Sequence, residues 1–570
     1  MTKAWTNTAA TVPRALRMSP APVAVTAAVR ALAAGGALLV AGAVIGDWDR
    51  LGVAYLGAAC SVAFVIGDDY RGRVAALAAA SVGAAIGIVI GGVVDHTALL
   101  MVAVAVGAGV VSGLLGAAGP HGPAFGMMLS IGVAYGQFVG SGLAPSAQVV
   151  WYLVGAFVVG FCHVVDWPFR RGVAQRRAAV GVYAAAAELC AAIGTPDASD
   201  ARRRLVAASS TARTAGWTPQ TQNIAYAAAA LYTENRPVGR EVVDALHDAG
   251  AQVGQRRPLR VPTAWPPTTP GLRAMATALD GDDARPAVRD HRGIGAIAAS
   301  LRTRTACLNA IRIALCMGVA TAVTLTIHAP QHAFWLPLTV AVIVRPEYAS
   351  IVVRTVNRLA GTIVGAVVAA AVVAVWPSGI GVAVAASIGL AFAALTAPKL
   401  YGLSVIGVTL SALLSSSVGG PDVVGPEVRL LDTFIGAVIA VVFGYLLWPG
   451  ARRLPQQARV DDGLDAAEAY LEEALQPAPR HDSFARCRDD AYRFAHAARL
   501  SCLAAFAEPP PTSDRAREML PCAIELEEIV DAITQISIAV DTAAGSDRDI
   551  VRTRERLRDL RSRMIDTRRE

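Results

Sequence analysis

Residues 74–94 read VAALAAASVGAAIGIVIGGVV, and the run opening TALLMVAVAVGAGVVSGLLGAA at Thr97 continues to Val165; neither holds an Asp, Glu, Lys or Arg. Both exceed what the buried face of a soluble helix needs. About 20 consecutive apolar residues match the hydrocarbon thickness of a bilayer. In lipid the backbone must satisfy its own hydrogen bonds, so such runs are helices and not open strands. Two more charge-free runs, 359–398 and 400–421, carry the same reading into the second half of the chain.

Outward from these runs the chain repeats itself. After a short N-terminal stretch, 1–20, residues 21–168 are apolar and 169–304 are charged and alanine-rich; 305–449 are apolar again and 450–570 charged. Each apolar block closes on a Trp-Pro pair, Trp167-Pro168 and Trp448-Pro449, and opens on a helix with an early arginine, Arg30 and Arg312. Two equal membrane halves are a layout expected of transporters. The expected fold is an all-α membrane protein: two six-helix halves, each followed by a helical soluble domain.

Composition narrows the function. The chain is 17% charged and 54% hydrophobic, with a mean hydropathy of +0.47. Its net charge of +7 does not imply nucleic acid, because neither polar block concentrates basic charge among aromatics. Cys60, Cys162, Cys190, Cys307, Cys316, Cys487, Cys502 and Cys522 form no C-x-x-C and have no His at zinc spacing, so no metal is expected. Neither polar block holds a glycine-rich phosphate loop, which argues against an ATP-driven pump. Lys3, Arg14 and Arg17 precede an apolar stretch, but Arg30 interrupts it, and an uncleaved first helix is expected.

The breaks place helices near 21–45, 51–67, 74–94, 97–118, 123–142 and 147–166, then 307–327, 333–344, 356–375, 379–397, 400–418 and 430–448. Twelve is the best count, with ten or eleven open. Basic clusters at Arg14/Arg17, Arg71/Arg73, Arg170/Arg171/Arg176/Arg177, Arg345/Arg354/Arg358 and Arg452/Arg453 all fall on one side if the N-terminus is inside. Both polar blocks and both termini are then cytoplasmic, in a multi-pass plasma (inner) membrane protein. Block 169–304 reads as helices flanking the extended run Pro258 to Pro270. Block 450–570 reads as four helices, split at Pro477-Ala478-Pro479, Pro509-Pro510-Pro511 and Gly545.

A second repeat lies inside the second half. RLAGTIVGA from Arg358 recurs as RLLDTFIGA from Arg429, on the third and sixth helices, which run in opposite directions. That is the mark of three-plus-three inverted repeats. The segment His332 to Val340 (HAFWLPLTV), Arg345-Pro346, Arg358-x-x-Gly361-Thr362-x-x-Gly365 and Arg429-x-x-Asp432-Thr433-x-x-Gly436 together resemble the fusaric acid resistance family. The whole plan is similar to bacterial aromatic carboxylic acid exporters, with plant aluminium-activated malate channels as more distant cousins. The motifs cover about 305–450; the first half matches by layout only. The resemblance implies a transporter without a cofactor, taking small organic anions, with Trp335, Thr339, Arg358 and Thr362 on the substrate path.

Arg30 and Arg312 sit about ten residues into the first helix of each half. A charge in the membrane costs at least about 2.5 kcal/mol, so it normally faces a cavity or a partner. A cationic pair for a carboxylate and two arginines snorkelling to the inner interface both fit. Asp68, Asp69 and Arg345 end the shortest apolar runs at matched positions, and Pro337 breaks one of them. Such interrupted segments point to a transport site, with a solvated inner loop as the plainer reading. Arg429 and Asp432, at i and i+3, read as a structural ion pair more readily than as a coupling pair. His163 and Asp166 read as an interfacial pair, and the small faces of the fifth and eleventh helices as close-packing surfaces.

Three functions of different class follow: a proton-driven exporter of aromatic carboxylate-like anions, a passive anion channel, and a membrane-anchored scaffold acting through its helical domains. No enzyme constellation is present in the sequence. The expected partners are the lipid bilayer and a small organic anion, with a homo-oligomer and an accessory protein left open.

Overall fold

The computed structural model describes residues 18–19, 21, 23–64, 70–94, 97–138, 143–170, 172–257, 259, 265–280, 301–327, 333–344, 351–377, 379–417, 426–448, 454–476, 482–506, 508, 510, 512–541 and 547–569. Among them every regular element is helical. The first apolar block gives α1 (Val25–Ile45), α2 (Trp48–Val62), α3 (Tyr70–Val93), α4 (Ala98–Leu115), α5 (Gly122–Phe138) and α6 (Pro145–Val164). The first polar block gives α7 (Val173–Ala192), α8 (Ala198–Ala215), α9 (Pro219–Glu234), α10 (Arg240–Gly254) and α11 (Pro270–Asp280). The second apolar block gives α12 (Arg304–Ile327), α13 (Trp335–Ile343), α14 (Ile351–Val375), α15 (Ile380–Thr396), α16 (Tyr401–Ser417) and α17 (Pro426–Val441), the last running on into a π-helical turn, Val442–Leu446. The final block gives α18 (Leu454–Ala474), α19 (Asp482–Ala505), α20 (Thr512–Asp541) and α21 (Asp547–Arg569).

Local chemistry sets the breaks. Gly46 ends α1 at φ +72°, a left-handed conformation that costs glycine little. Asp47 then caps α2, its carboxylate accepting from the Arg50 amide at 3.1 Å. Pro145 occupies the first turn of α6, where no amide partner is lost. Among the described residues seven helices are long and apolar enough to cross a membrane: Val25–Gly42, Tyr70–Val93, Ala98–Leu115, Pro145–Arg170, Ala306–Ile327, Ile351–Val375 and Glu427–Leu446. Helix α14 begins before the charge-free run 359–398 and α17 before the expected start at 430, so Arg358 and Arg429 lie inside them as buried side chains.

The four blocks of sequence gather into two compact units, like with like. One comprises Met1–Phe169, Arg292–Arg453 and Ala507–Ser513; the other comprises Arg170–His291, Leu454–Phe506 and Asp514–Glu570. In the apolar unit the two halves pack reciprocally. Helix α4 lies on α12 as α15 lies on α1, and α5 meets α13 as α16 meets α2. Within each half the third helix packs on the fifth and the second on the sixth. Small residues make these approaches possible. A Cβ placed on Gly113 would stand 2.3 Å from the Ala310 Cα, and one on Gly35 would stand 2.7 Å from the Ser387 Cβ.

The tightest approach lies between α2 and α6. A Cβ on Gly155 would lie 1.8 Å from the Ala54 carbonyl oxygen, whereas one on Gly107 would meet nothing within 4 Å. Gly155→Ala is therefore expected to destabilise the apolar unit by about 1–3 kcal/mol. Gly107→Ala is expected to leave it unchanged. Thermal unfolding of both variants in detergent checks the contrast, and equal melting curves would contradict the packing.

Glu508 belongs to the apolar unit and is 2% exposed, beside Arg354 and the Val352 and Val353 amides at the start of α14. Burial pushes its carboxyl up to about 7, against the opposing pull of Arg354 and the two amides. The folded protein thus holds this proton at a pH where the unfolded chain has released it. Stability should fall as pH rises from about 4.5 to about 7, by at most about 3 kcal/mol, and then level off. Glu508→Gln should flatten that slope. Melting temperatures at pH 5 and pH 8 test this, and a variant as pH-sensitive as the parent would refute it.

The polar unit is built from α7–α11 together with α18–α21. Its alanine-rich helices bury Val182, Tyr183, Leu189, Ile224, Leu231 and Leu246 in one core. An ion network ties the two polar blocks together. Arg202 on α8 donates to Glu527 at 2.9 Å and to Asp531, both on α20. His496 and Arg499 of α19 reach Glu527 at 3.3 and 3.4 Å.

Candidate functional site

The two RLx-x-T-x-x-G segments meet in the apolar unit, where α14 packs on α17. Gly361 and Gly365 let α14 approach α16: a Cβ on Gly361 would stand 2.5 Å from the Gly402 carbonyl oxygen. Gly436, at the matching place in α17, lies instead against Thr339 of α13. Each repeat therefore turns its glycine face to a different neighbour, while the two arginines lie within electrostatic range of each other.

Helix α13 has nine residues, with Pro337 third. At 1.5 Å per residue it covers about 13 Å, under half of a hydrocarbon core. Trp335 at its start is buried, stacked beside Phe334 at 4.2 Å between ring centroids. The Arg429 guanidinium lies over the Trp335 ring, its Cζ 3.9 Å from the centroid. A desolvated cation–π contact of this kind is worth about 2 kcal/mol. Arg358, Asp432 and Tyr401 are the electrostatic neighbours of Arg429. The first half contributes Cys60, beside Tyr152 and within electrostatic range of Arg358. It also contributes Tyr135, edge-on to Phe334 at 5.5 Å.

Several polar atoms here are buried with no hydrogen-bond partner among the described residues: Arg429 Nε and Nη1, Arg358 Nε, Trp335 Nε1, Thr339 Oγ1 and Thr362 Oγ1. Most buried polar groups in folded proteins are paired, and exceptions call for a reason. All but the threonine hydroxyls can only donate, and three of the atoms belong to cations. The patch suits an acceptor-rich anion that carries an apolar or aromatic body.

Of the residues singled out by sequence, Trp335, Pro337, Thr339, Arg358, Thr362, Arg429 and Asp432 lie on α13, α14 and α17. Arg312 is fully buried on α12, and its Nη2 donates to Asn309 Oδ1 at 3.1 Å. Asn309 went unremarked in the sequence, although a polar residue three positions before an intramembrane arginine shares its helix face. Asp68, Asp69 and Arg345 lie outside the described residues.

Arg30 has a different environment from Arg312. It forms an ion pair with Asp166, which also accepts from the Tyr70 hydroxyl at 3.0 Å. Arg73 stacks over Tyr70 at 4.6 Å and donates to the His163 carbonyl at 3.2 Å. Asp166 thus turns to Arg30 and Tyr70, while His163 Nδ1 contacts the Val159 carbonyl oxygen at 2.8 Å. By the Trp167/Trp448 correspondence, the second-half residue matching Asp166 is Leu447. The matched position in the second half carries a leucine where the first half has this aspartate.

Residues 314–443 match the family described as fusaric acid resistance protein-like. This fusaric acid resistance-like segment holds every member of the cluster that lies on α13, α14 or α17. Three relatives are similar to parts of the chain. An uncharacterized protein, ORF2, of Neisseria gonorrhoeae is 27% identical over 225 residues, covering 38% of this chain and 52% of its own. The uncharacterized protein YhfK of Escherichia coli is 29% identical over 179 residues, covering 30% of this chain and 25% of its own. An uncharacterized protein of Haemophilus influenzae is 31% identical over 142 residues, covering 24% and 19%. The chain spans about half of the first relative's length and a quarter or less of the other two. No solved structure matches significantly. The fusaric acid resistance-like match and the apolar helices make this a membrane-embedded, multi-pass protein.

Proposed function

We propose that the protein is a secondary transporter that exports small organic anions of the aromatic carboxylate type across the bacterial inner membrane. In this reading α1–α6 and α12–α17 line or support the pathway, and the polar unit and both termini are cytoplasmic. The observation that carries it is the Arg429–Trp335 stack beside Arg358, with buried donors that meet no hydrogen-bond partner among the described residues. An aromatic carboxylate offers an acceptor for the donors and a ring for Trp335. The family description of the matched segment supports the same class.

The test is efflux of radiolabelled benzoate from proteoliposomes under an imposed proton gradient. Gradient-dependent release above empty liposomes is expected. Equal release with and without protein would refute transport of this class, and current without a gradient would make the protein a channel. Orientation has its own test. Reporters fused after Arg177 or Arg453 are expected on the cytoplasmic side, because short basic loops stay inside; an external signal at either point would overturn the topology.

A further inference from the structure

The polar unit contains a cavity of about 230 Å³ that transport does not use. One face of α8 supplies Arg202, Ser209, Ser210 and Arg213, and Trp217 follows just beyond its end. Tyr226 of α9 and Tyr492 of α19 complete an aromatic wall. Tyr226 stands 6.0 Å from Trp217, edge-on, and 5.2 Å from Tyr492.

Arg202, Arg213, Arg493, His496 and Asp531 line the cavity, and behind the wall the Asp489 carboxylate accepts from the Tyr226 hydroxyl. Glu527 holds Arg202 through Nη1, Asp531 holds it through Nε, and Asp490 pairs with Arg493. Arg202 is 4% exposed, and its Nη2 is buried with no hydrogen-bond partner among the described residues. The same is true of Arg213 Nε, although Nη1 of that residue donates to the Asp489 carbonyl at 2.8 Å. An ion network of this strength fixes Arg202 in place, so its remaining donor is preorganised.

We propose that this cavity is a binding site for a single-ring aromatic carboxylate, separate from the intramembrane cluster. The carboxylate accepts from Arg202 Nη2 and Arg213 Nε, and the ring packs among Trp217, Tyr226 and Tyr492. The volume lies below the roughly 300 Å³ at which pockets for larger ligands begin, which excludes a nucleotide. The site lies within one compact unit and stands whether or not the intramembrane cluster transports.

The experiment is calorimetric titration of benzoate into the full-length protein in detergent, carrying Arg358→Ala and Arg429→Ala so that the intramembrane cluster is silent. Saturable binding is expected to persist. Arg213→Gln should weaken it about tenfold, the scale of one charge-assisted hydrogen bond. Ser209→Trp, which fills the cavity, should abolish it. Both variants must melt with the parent; Ser210→Leu replaces Ser209→Trp if that one does not. Benzamide, which has the ring without the charge, should bind at least tenfold more weakly. Absent binding in the parent, or unchanged affinity in Arg213→Gln and the filled variant together, overturns the site. Loss of export with benzoate binding retained here would leave this inference intact and refute only the transport reading.

Discussion

Arg429→Ala is expected to reduce anion export about ten- to hundredfold while the protein stays folded in the membrane. The variant removes a buried guanidinium from the Trp335 face and forfeits a charge-assisted hydrogen bond worth about 1.5–3 kcal/mol to a bound carboxylate. A purely structural arginine would behave in the opposite way. Its loss would show as a lower melting temperature, since the Trp335 contact and the attraction to the buried Asp432 go while only the repulsion from Arg358 is relieved, with export per folded molecule unchanged. Arg429→Lys should recover export only in part, because an ammonium lacks the planar face that stacks on Trp335. Arg312→Ala should match Arg429→Ala. Arg30→Ala should instead lower protein level, because it removes the cation from the Arg30–Asp166 ion pair. Export by Arg429→Ala at the parental rate per molecule would end this assignment.

Arg202→Ala should carry the largest stability effect in the chain. It strands Glu527 and Asp531, both under 4% exposed, beside each other without their shared cation. Removing one partner of a buried ion pair costs about 3–5 kcal/mol, comparable to the whole stability of many domains. His496 and Arg499 remain on Glu527 but do not reach Asp531. Burial raises the Glu527 carboxyl, and the His496 hydrogen bond with the Arg202 and Arg499 charges more than offsets it, leaving it below the ordinary value. A depressed carboxylate stabilises at neutral pH and loses that contribution as pH falls through its folded value, whereas burial raises the neighbouring Asp531 carboxyl against the pull of Arg202, so only the Glu527 share is lost in acid. Melting of the full-length variant at pH 7, followed by circular dichroism, measures the loss. A shift too small to resolve would mean that water reaches the network.

Helix positions were legible because they are local. Backbone hydrogen bonds close within a segment, so a charge-free run of sufficient length becomes a helix wherever it later packs. Among the described residues the helical class follows from this, with breaks at Gly46 and Pro145, while seven of the helices are long and apolar enough to cross a membrane. Arg358, Thr362, Arg429 and Trp335 were visible as motif residues. Their meeting was not, since it depends on which glycine faces let α14, α16, α13 and α17 approach one another.

The sequence by itself determined the helical class, the duplicated apolar and polar blocks, and the residues expensive enough in lipid to need a reason. Only the tertiary structure decided that like blocks join across more than a hundred intervening residues. It alone shows that α4 and α12 exchange partners with α15 and α1, that Arg30 is neutralised by Asp166 while Arg312 bonds Asn309, and that two polar blocks close around an arginine-lined aromatic cavity. The physical reason is degeneracy. Many alanine- and glycine-rich faces can approach one another equally well, and the choice among them rests on long-range complementarity that no single segment carries.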